Sequence, residues 1–82
     1  MEHALRKAAE LAGSVSALAR AIGMSQQTVW AWIYRKSIPP EHCAAVERAT
    51  GGAVMRWDLR PEDWREIWPE LAERTDAPRQ VA

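Results

Sequence analysis

In residues 3–12 the apolar positions Ala4, Leu5, Ala8, Leu11 and Ala12 recur at intervals of three and four, while Arg6, Lys7 and Glu10 fall mostly elsewhere. That spacing predicts an amphipathic helix ending at Gly13. Leu18, Ala19 and Ile22 repeat the pattern after Ser14 or Ser16, either of which can cap a helix start. The run stops at Gly23, a residue suited to a left-handed helix end. Ser25 then offers another N-cap, and Val29, Trp32 and Ile33 give the next helix, 26–34, an inner face. Two short helices joined by so few residues must meet at a steep angle.

Beyond Tyr34 the stretch Arg35-Lys36-Ser37-Ile38-Pro39-Pro40 reads as a loop, because consecutive prolines cannot continue a helix and Pro40 suits the first turn of a new one. That next helix is expected over about 40–50, burying Cys43, Val46 and Ala49, and Gly51-Gly52 ends it. Residues 53–59 alternate loosely and read as a short extended segment, a strand. Pro61 opens a last helix through Ile67, and Pro69 interrupts it before a turn around Leu71. The pattern therefore predicts an all-α domain of about five short helices with one short strand near 53–59. It would occupy residues 1–74, followed by a flexible tail over 75–82.

A chain of 82 residues supports one core of useful size, not two. Its formal net charge is zero, which by itself argues against a nucleic-acid partner. The distribution changes that picture. No carboxylate stands between Glu10 and Glu41, whereas Arg20, Arg35 and Lys36 lie in that interval; the acids gather after Pro61 as Glu62, Asp63, Glu66, Glu70, Glu73 and Asp76. The part over 61–74 is thus acidic and, with Trp64 and Trp68, rich in tryptophan. Cys43 is the single cysteine, so no internal disulfide can form, and the start of the chain leads into a charged amphipathic stretch; the cytoplasm is the expected compartment. The apolar run over 15–22 is far short of the roughly 20 residues needed to span a bilayer, so no membrane partner is expected.

Residues 15–34 carry the function. Ala19 sits where the two helices cross and must be small, Gly23 occupies the turn, and Leu18, Ile22, Met24, Val29 and Trp32 close both helices over a common core. If Val29, Trp32 and Ile33 face inward, then Gln26, Gln27, Trp30, Ala31 and Tyr34 face outward. A glutamine amide can bond bidentately to adenine, and a methyl or aromatic ring can pack on thymine, so these five are the candidate base contacts. Ser25 and the backbone N–H groups at the helix start suit a phosphate, as do Ser16, Arg20, Thr28, Arg35 and Lys36 around it. Together they make a reading head for the major groove of double-stranded DNA.

The run Ser16-Ala17-Leu18-Ala19-Arg20-Ala21-Ile22-Gly23-Met24-Ser25-Gln26-Gln27-Thr28-Val29-Trp30-Ala31-Trp32 is similar to the helix-turn-helix of Cro and other phage repressors. With Ile38-Pro39-Pro40-Glu41-His42-Cys43, then Val46-Glu47-Arg48-Ala49-Thr50-Gly51-Gly52-Ala53-Val54 and Leu59-Arg60-Pro61-Glu62, the chain resembles more narrowly the YdaS-like Cro-type regulators, often labelled antitoxins. The resemblance covers roughly residues 3–63. It implies a lambda-repressor-like helical domain that represses transcription from phage or prophage promoters, usually as a homodimer on an imperfect palindromic operator. Trp30 departs from the pattern, standing where such proteins often carry a small or polar residue.

Other readings compete. Gln26, Gln27 and Thr28 also fit a plain solvated helix start, and Trp30 with Tyr34 also fits a protein-interaction patch. Trp57, Trp64 and Trp68 fit either a core and lid or a homodimer interface. The acidic Trp-rich segment suits an antitoxin that binds a toxin partner, and zero net charge suits an adaptor that has lost DNA affinity. His42 beside Cys43 points about 100° away from it on a helix, and no second cysteine completes a zinc set, so no metal is expected. No cofactor is expected either. Neither His3 nor His42 has an evident nucleophile and orienting group, and the expectation is a protein that is not an enzyme.

Overall fold

The first helix forms because one stripe of its residues can be buried, and in the computed structural model, which describes residues 2–78, that stripe is Leu5, Ala8 and Ala9 on α1 (Glu2–Ala12). Leu11, expected inside, is instead 54 % exposed. Six residues beyond Leu5 a helix has turned to roughly 120° from it, so Leu11 stands on the shoulder of the stripe, and Ala9 fills the core.

Ser14 rather than Ser16 caps α2 (Val15–Ile22), its hydroxyl accepting the Ala17 N–H at 3.0 Å. Leu18 and Ala19 are buried, and α2 packs on α1, on α3 (Gln26–Arg35) and on α4 (Pro40–Ala49). Small Ala19 is what permits such close neighbours on one short helix. Gly23 ends α2 at φ 73, and the Met24 N–H reaches back to the Ala19 carbonyl at 2.9 Å. This left-handed position would cost a side-chain-bearing residue about 1 kcal/mol. Ser25 caps α3 through the Thr28 N–H at 3.2 Å, and Val29, Trp32 and Ile33 turn inward as the pattern predicts. The pair α2–turn–α3 is a helix-turn-helix.

The strap from α3 to α4 passes through Lys36 at φ 56 and the fully buried Ile38. In α4, Cys43 and Val46 are buried, but Ala49 is exposed. Thr50 turns in beside it, its hydroxyl donating toward the Val46 and Glu47 carbonyls at 3.1 Å and accepting the Val54 N–H at 3.1 Å. Desolvation pushes the Cys43 thiol up to about 11, with its Sγ 3.6 Å from the Pro39 carbonyl oxygen. A thiol-specific reagent at mildly alkaline pH is therefore expected to label Cys43 only through unfolding, with a rate that rises steeply in denaturant. Labelling as fast as that of a free cysteine would contradict this packing.

The strand expected near 53–59 is absent among the described residues; a short helix, α5 (Arg56–Leu59), stands there. Its start is fixed by two carboxylates: Asp58 accepts the Met55 N–H at 2.9 Å, and Glu47 accepts both the Arg56 N–H at 3.2 Å and the Arg56 Nε at 2.8 Å. The helix expected from Pro61 begins later, as α6 (Trp64–Ile67), after a turn at 61–63, and a 3-10 turn, Pro69–Glu73, follows with Leu71 buried. Met55, Trp64 and Leu71 are buried but lie outside the main core. Residues 75–78 follow as turn and bend, with the Arg65 guanidinium donating to the Pro78 carbonyl; the rest of the expected tail, 79–82, lies outside the described residues. Among the described residues no helix is long and apolar enough to cross a membrane.

Candidate nucleic-acid interface

On the helical wheel of α3, Gln27, Ala31 and Tyr34 lie within about 40° of the direction opposite Val29, whereas Gln26 and Trp30 lie on one flank. The five candidate base contacts therefore divide. Gln27 and Tyr34 are exposed on the crest, Tyr34 at 87 %, with the half-buried Ala31 between them. Gln26 is exposed at the first turn, and Trp30, at 43 %, leans toward α1. There it lines two adjoining grooves, one with Arg6, Glu10, Gly13 and Val15, the other with Arg6, Ile33, Tyr34 and Lys36. Arg6 was not among the expected site residues. Its signal was its position on the polar flank of α1, but only the packing of α1 beside α3 brings it to Trp30.

The candidate phosphate contacts surround this crest. Ser16 and Arg20 are both exposed and lie one turn apart on α2. Ser25 and Thr28 are partly occupied with each other, their hydroxyls 2.7 Å apart, and this pair closes the start of α3. Neither α2 nor α3 has an acidic residue in its first turn, and each has an arginine in its last, Arg20 and Arg35. The positive ends of both helix dipoles are thus uncompensated by carboxylates of their own, which favours an anion there. Arg35 and Lys36 are exposed at the far end of α3.

Trp64 does not fit the dimer contact considered for it. It is 3 % exposed, its ring meeting Trp57 edge-on at 5.6 Å, so its surface is already used inside the chain. Arginine guanidinium groups lie over the remaining faces: Arg74 over Trp57, Arg65 over Trp64 and Arg56 over Trp68, at 5.5, 4.5 and 5.4 Å. Trp57 and Trp68 remain half-buried. Among the described residues no group of three or more His, Cys, Asp or Glu side chains is placed to hold a metal ion.

A further residue bears on the strap beyond α3. Arg60 donates from Nη1 to the Ile38 carbonyl at 2.7 Å, and from Nε and Nη2 to the two Asp63 carboxylate oxygens at 2.9 and 2.7 Å. The hydrogen bond from Arg60 holds the Asp63 carboxyl below the usual carboxylate range, and the same bond raises the Arg60 guanidinium further.

Residues 5–67, which take in most of α1 and every element from α2 through α6, match a family model described as "Bacterial toxin YdaS". A protein of Escherichia coli (strain K12) named "Putative transcriptional regulator YdaS" is 41 % identical over 64 residues, covering 76 % of this chain. The chain spans 65 % of that relative's length, a little under two thirds. No solved structure matches.

Proposed function

The chain belongs to the YdaS family, and from that premise we propose that it is a transcriptional regulator that binds double-stranded DNA by laying α3 in the major groove. The observation that carries this reading is the crest of Gln27, Ala31 and Tyr34 on a helix capped at its start and fixed to the core by Val29, Trp32 and Ile33. Flanking cations Arg20, Arg35 and Lys36, with no carboxylate between Glu10 and Glu41, favour the approach of phosphates. The relative's printed name agrees with a regulatory role. We place the action in the cytoplasm, as binding without catalysis and as repression by a homodimer. Two recognition helices would then enter successive major grooves about 34–36 Å apart and read an imperfect palindrome.

Selection from random duplexes tests this reading directly. It is expected to return paired inverted half-sites about one helical turn apart, and recovery of no enriched sequence would remove it. Lys36→Ala is expected to weaken binding to selected and random duplexes alike, and to lower the slope of log affinity against log salt by about one. An unchanged slope would take Lys36 out of the phosphate-contacting set.

A second reading has its own support: the exposed carboxylates Glu62, Glu66, Glu70 and Glu73 offer a surface to a cationic protein partner, a toxin among them. Deleting the segment after Arg60 is a poor test, because it removes the buried Trp64 and Leu71. Replacing those four glutamates with glutamine separates the two: DNA binding is retained, and capture of a protein partner is lost.

A further inference from the structure

The strap between α3 and α4 is pinned from two sides. Lys36 stands in the left-handed region at φ 56, ψ 39, where its N–H reaches the Ile33 carbonyl at 3.2 Å and the next N–H, of Ser37, reaches the Trp32 carbonyl at 3.1 Å. A non-glycine residue holds that conformation only where its surroundings over-determine it. Two positions on, the Ile38 side chain is fully buried, and its carbonyl accepts the Arg60 Nη1 from 22 positions away in sequence. Asp63 occupies the other edge of the same guanidinium with both carboxylate oxygens. The fork is planar, so the Asp63 contact fixes the plane in which Nη1 must point.

We propose that Arg60 is a positioning residue for DNA binding: through the Ile38 carbonyl it holds the strap that presents Lys36 and Ser37 to a phosphate, and Asp63 aims it. This rests on the reading of α3 and its flanks as a DNA-binding surface. It makes the segment after α5 part of the DNA-binding machinery, since Arg60 directly precedes the turn at 61–63, Asp63 ends it, and neither belongs to a helix of the helix-turn-helix. The two backbone bonds that end α3 close over Lys36 and Ser37 but reach no further, because Pro39 and Pro40 have no N–H with which to extend them, so beyond Ser37 the strap is held by the Ile38 side chain and by Arg60.

The test uses the full chain and a labelled mixed-sequence duplex, titrated over a range of salt. Arg60→Lys keeps the charge but cannot make the planar three-way contact. It is expected to weaken binding at low salt about tenfold and to lower the salt slope by about one. Amide exchange at Ser37 is expected to accelerate about tenfold while the Val29 amide keeps its protection. In a Lys36→Ala background Arg60→Lys is expected to add no further loss, because the effect passes through Lys36. Asp63→Asn, which preserves shape and removes the paired charge, is expected to show the same changes at about threefold, and it carries the test should Arg60→Lys fail to fold.

The exchanged pair Arg60→Asp with Asp63→Arg restores the ion pair, but a carboxylate at position 60 cannot donate to the Ile38 carbonyl. Recovery of stability without recovery of affinity supports positioning; recovery of both overturns it, as does an unchanged affinity and slope in Arg60→Lys. If the unaltered chain shows no salt-dependent binding to any duplex, the reading of function falls and this inference with it. Failure of the inference alone leaves unaltered binding intact, so the two outcomes are distinct.

Discussion

Trp32→Ala is expected to cost about 3–5 kcal/mol of folding stability, the range for emptying a buried aromatic site. A domain of this length has only about 4–12 kcal/mol in total at ordinary stability per residue. The ring is 2 % exposed, belongs to the main core with Leu5, Leu18, Val29, Val46 and Leu59, and stacks at a tilt on His42 with centroids 5.1 Å apart. Its loss also acts on function. At ten residues α3 is too short to be stable alone, so its orientation depends on Val29, Trp32 and Ile33. Denaturant unfolding followed by circular dichroism measures the change. Trp30→Ala, two residues away and 43 % exposed, is the control and is expected to cost about 1 kcal/mol. Similar losses for the two would mean that α3 is not held by its Val29 face.

What was legible in the sequence is what is local. Ser25 caps α3 through the N–H three residues on, and Gly23 ends α2 by reversing the sign of φ; both effects are complete within a few residues, so residue type and spacing suffice. The inner face of α3 was equally readable, because three apolar residues at helical spacing leave one arc. Residues 53–59 show the limit. Their apolar pattern fits an extended segment, yet they turn into α5 because Asp58 accepts the Met55 N–H and Glu47, on a different helix, accepts the Arg56 N–H; the first contact is local, but spacing does not tell that the chain folds back on α4 to make the second. Trp64 shows it again: composition reveals surplus aromatic surface, but whether a ring meets a second chain or its own Trp57 is decided by tertiary packing. Within the candidate interface the outward residues were identified as a set. Their division into a crest and a flank also follows from the 100° step of α3, but that α1 lies beside the flank and brings Arg6 to Trp30 does not. Arg60 was missed for the same reason, since its partner Ile38 stands 22 positions away.

Gln27→Ala is expected to change which duplexes the protein selects while leaving the salt dependence of binding unchanged. Gln27 is exposed two residues past the Ser25 cap, at the end of α3 whose dipole favours approach to DNA, and its amide carries both a donor and an acceptor. An adenine edge in the major groove offers the matching pair, and such a bidentate contact discriminates against the wrong base by about 1–3 kcal/mol, or roughly 5- to 150-fold. Ala31, one turn on, helps set the distance: its methyl lets the crest approach bases that a longer side chain would hold away. Alanine at position 27 removes both hydrogen bonds without removing a charge, so no counterion release is lost. Repeating the selection with the variant should flatten one position in each half-site, symmetrically, and spare the others. Gln26→Ala, on the flank, should alter the selected sequence less. A variant that kept the original sequence preference but showed a shallower salt slope would place Gln27 on the backbone, and the crest of α3 would then lie along the groove wall instead of facing the bases.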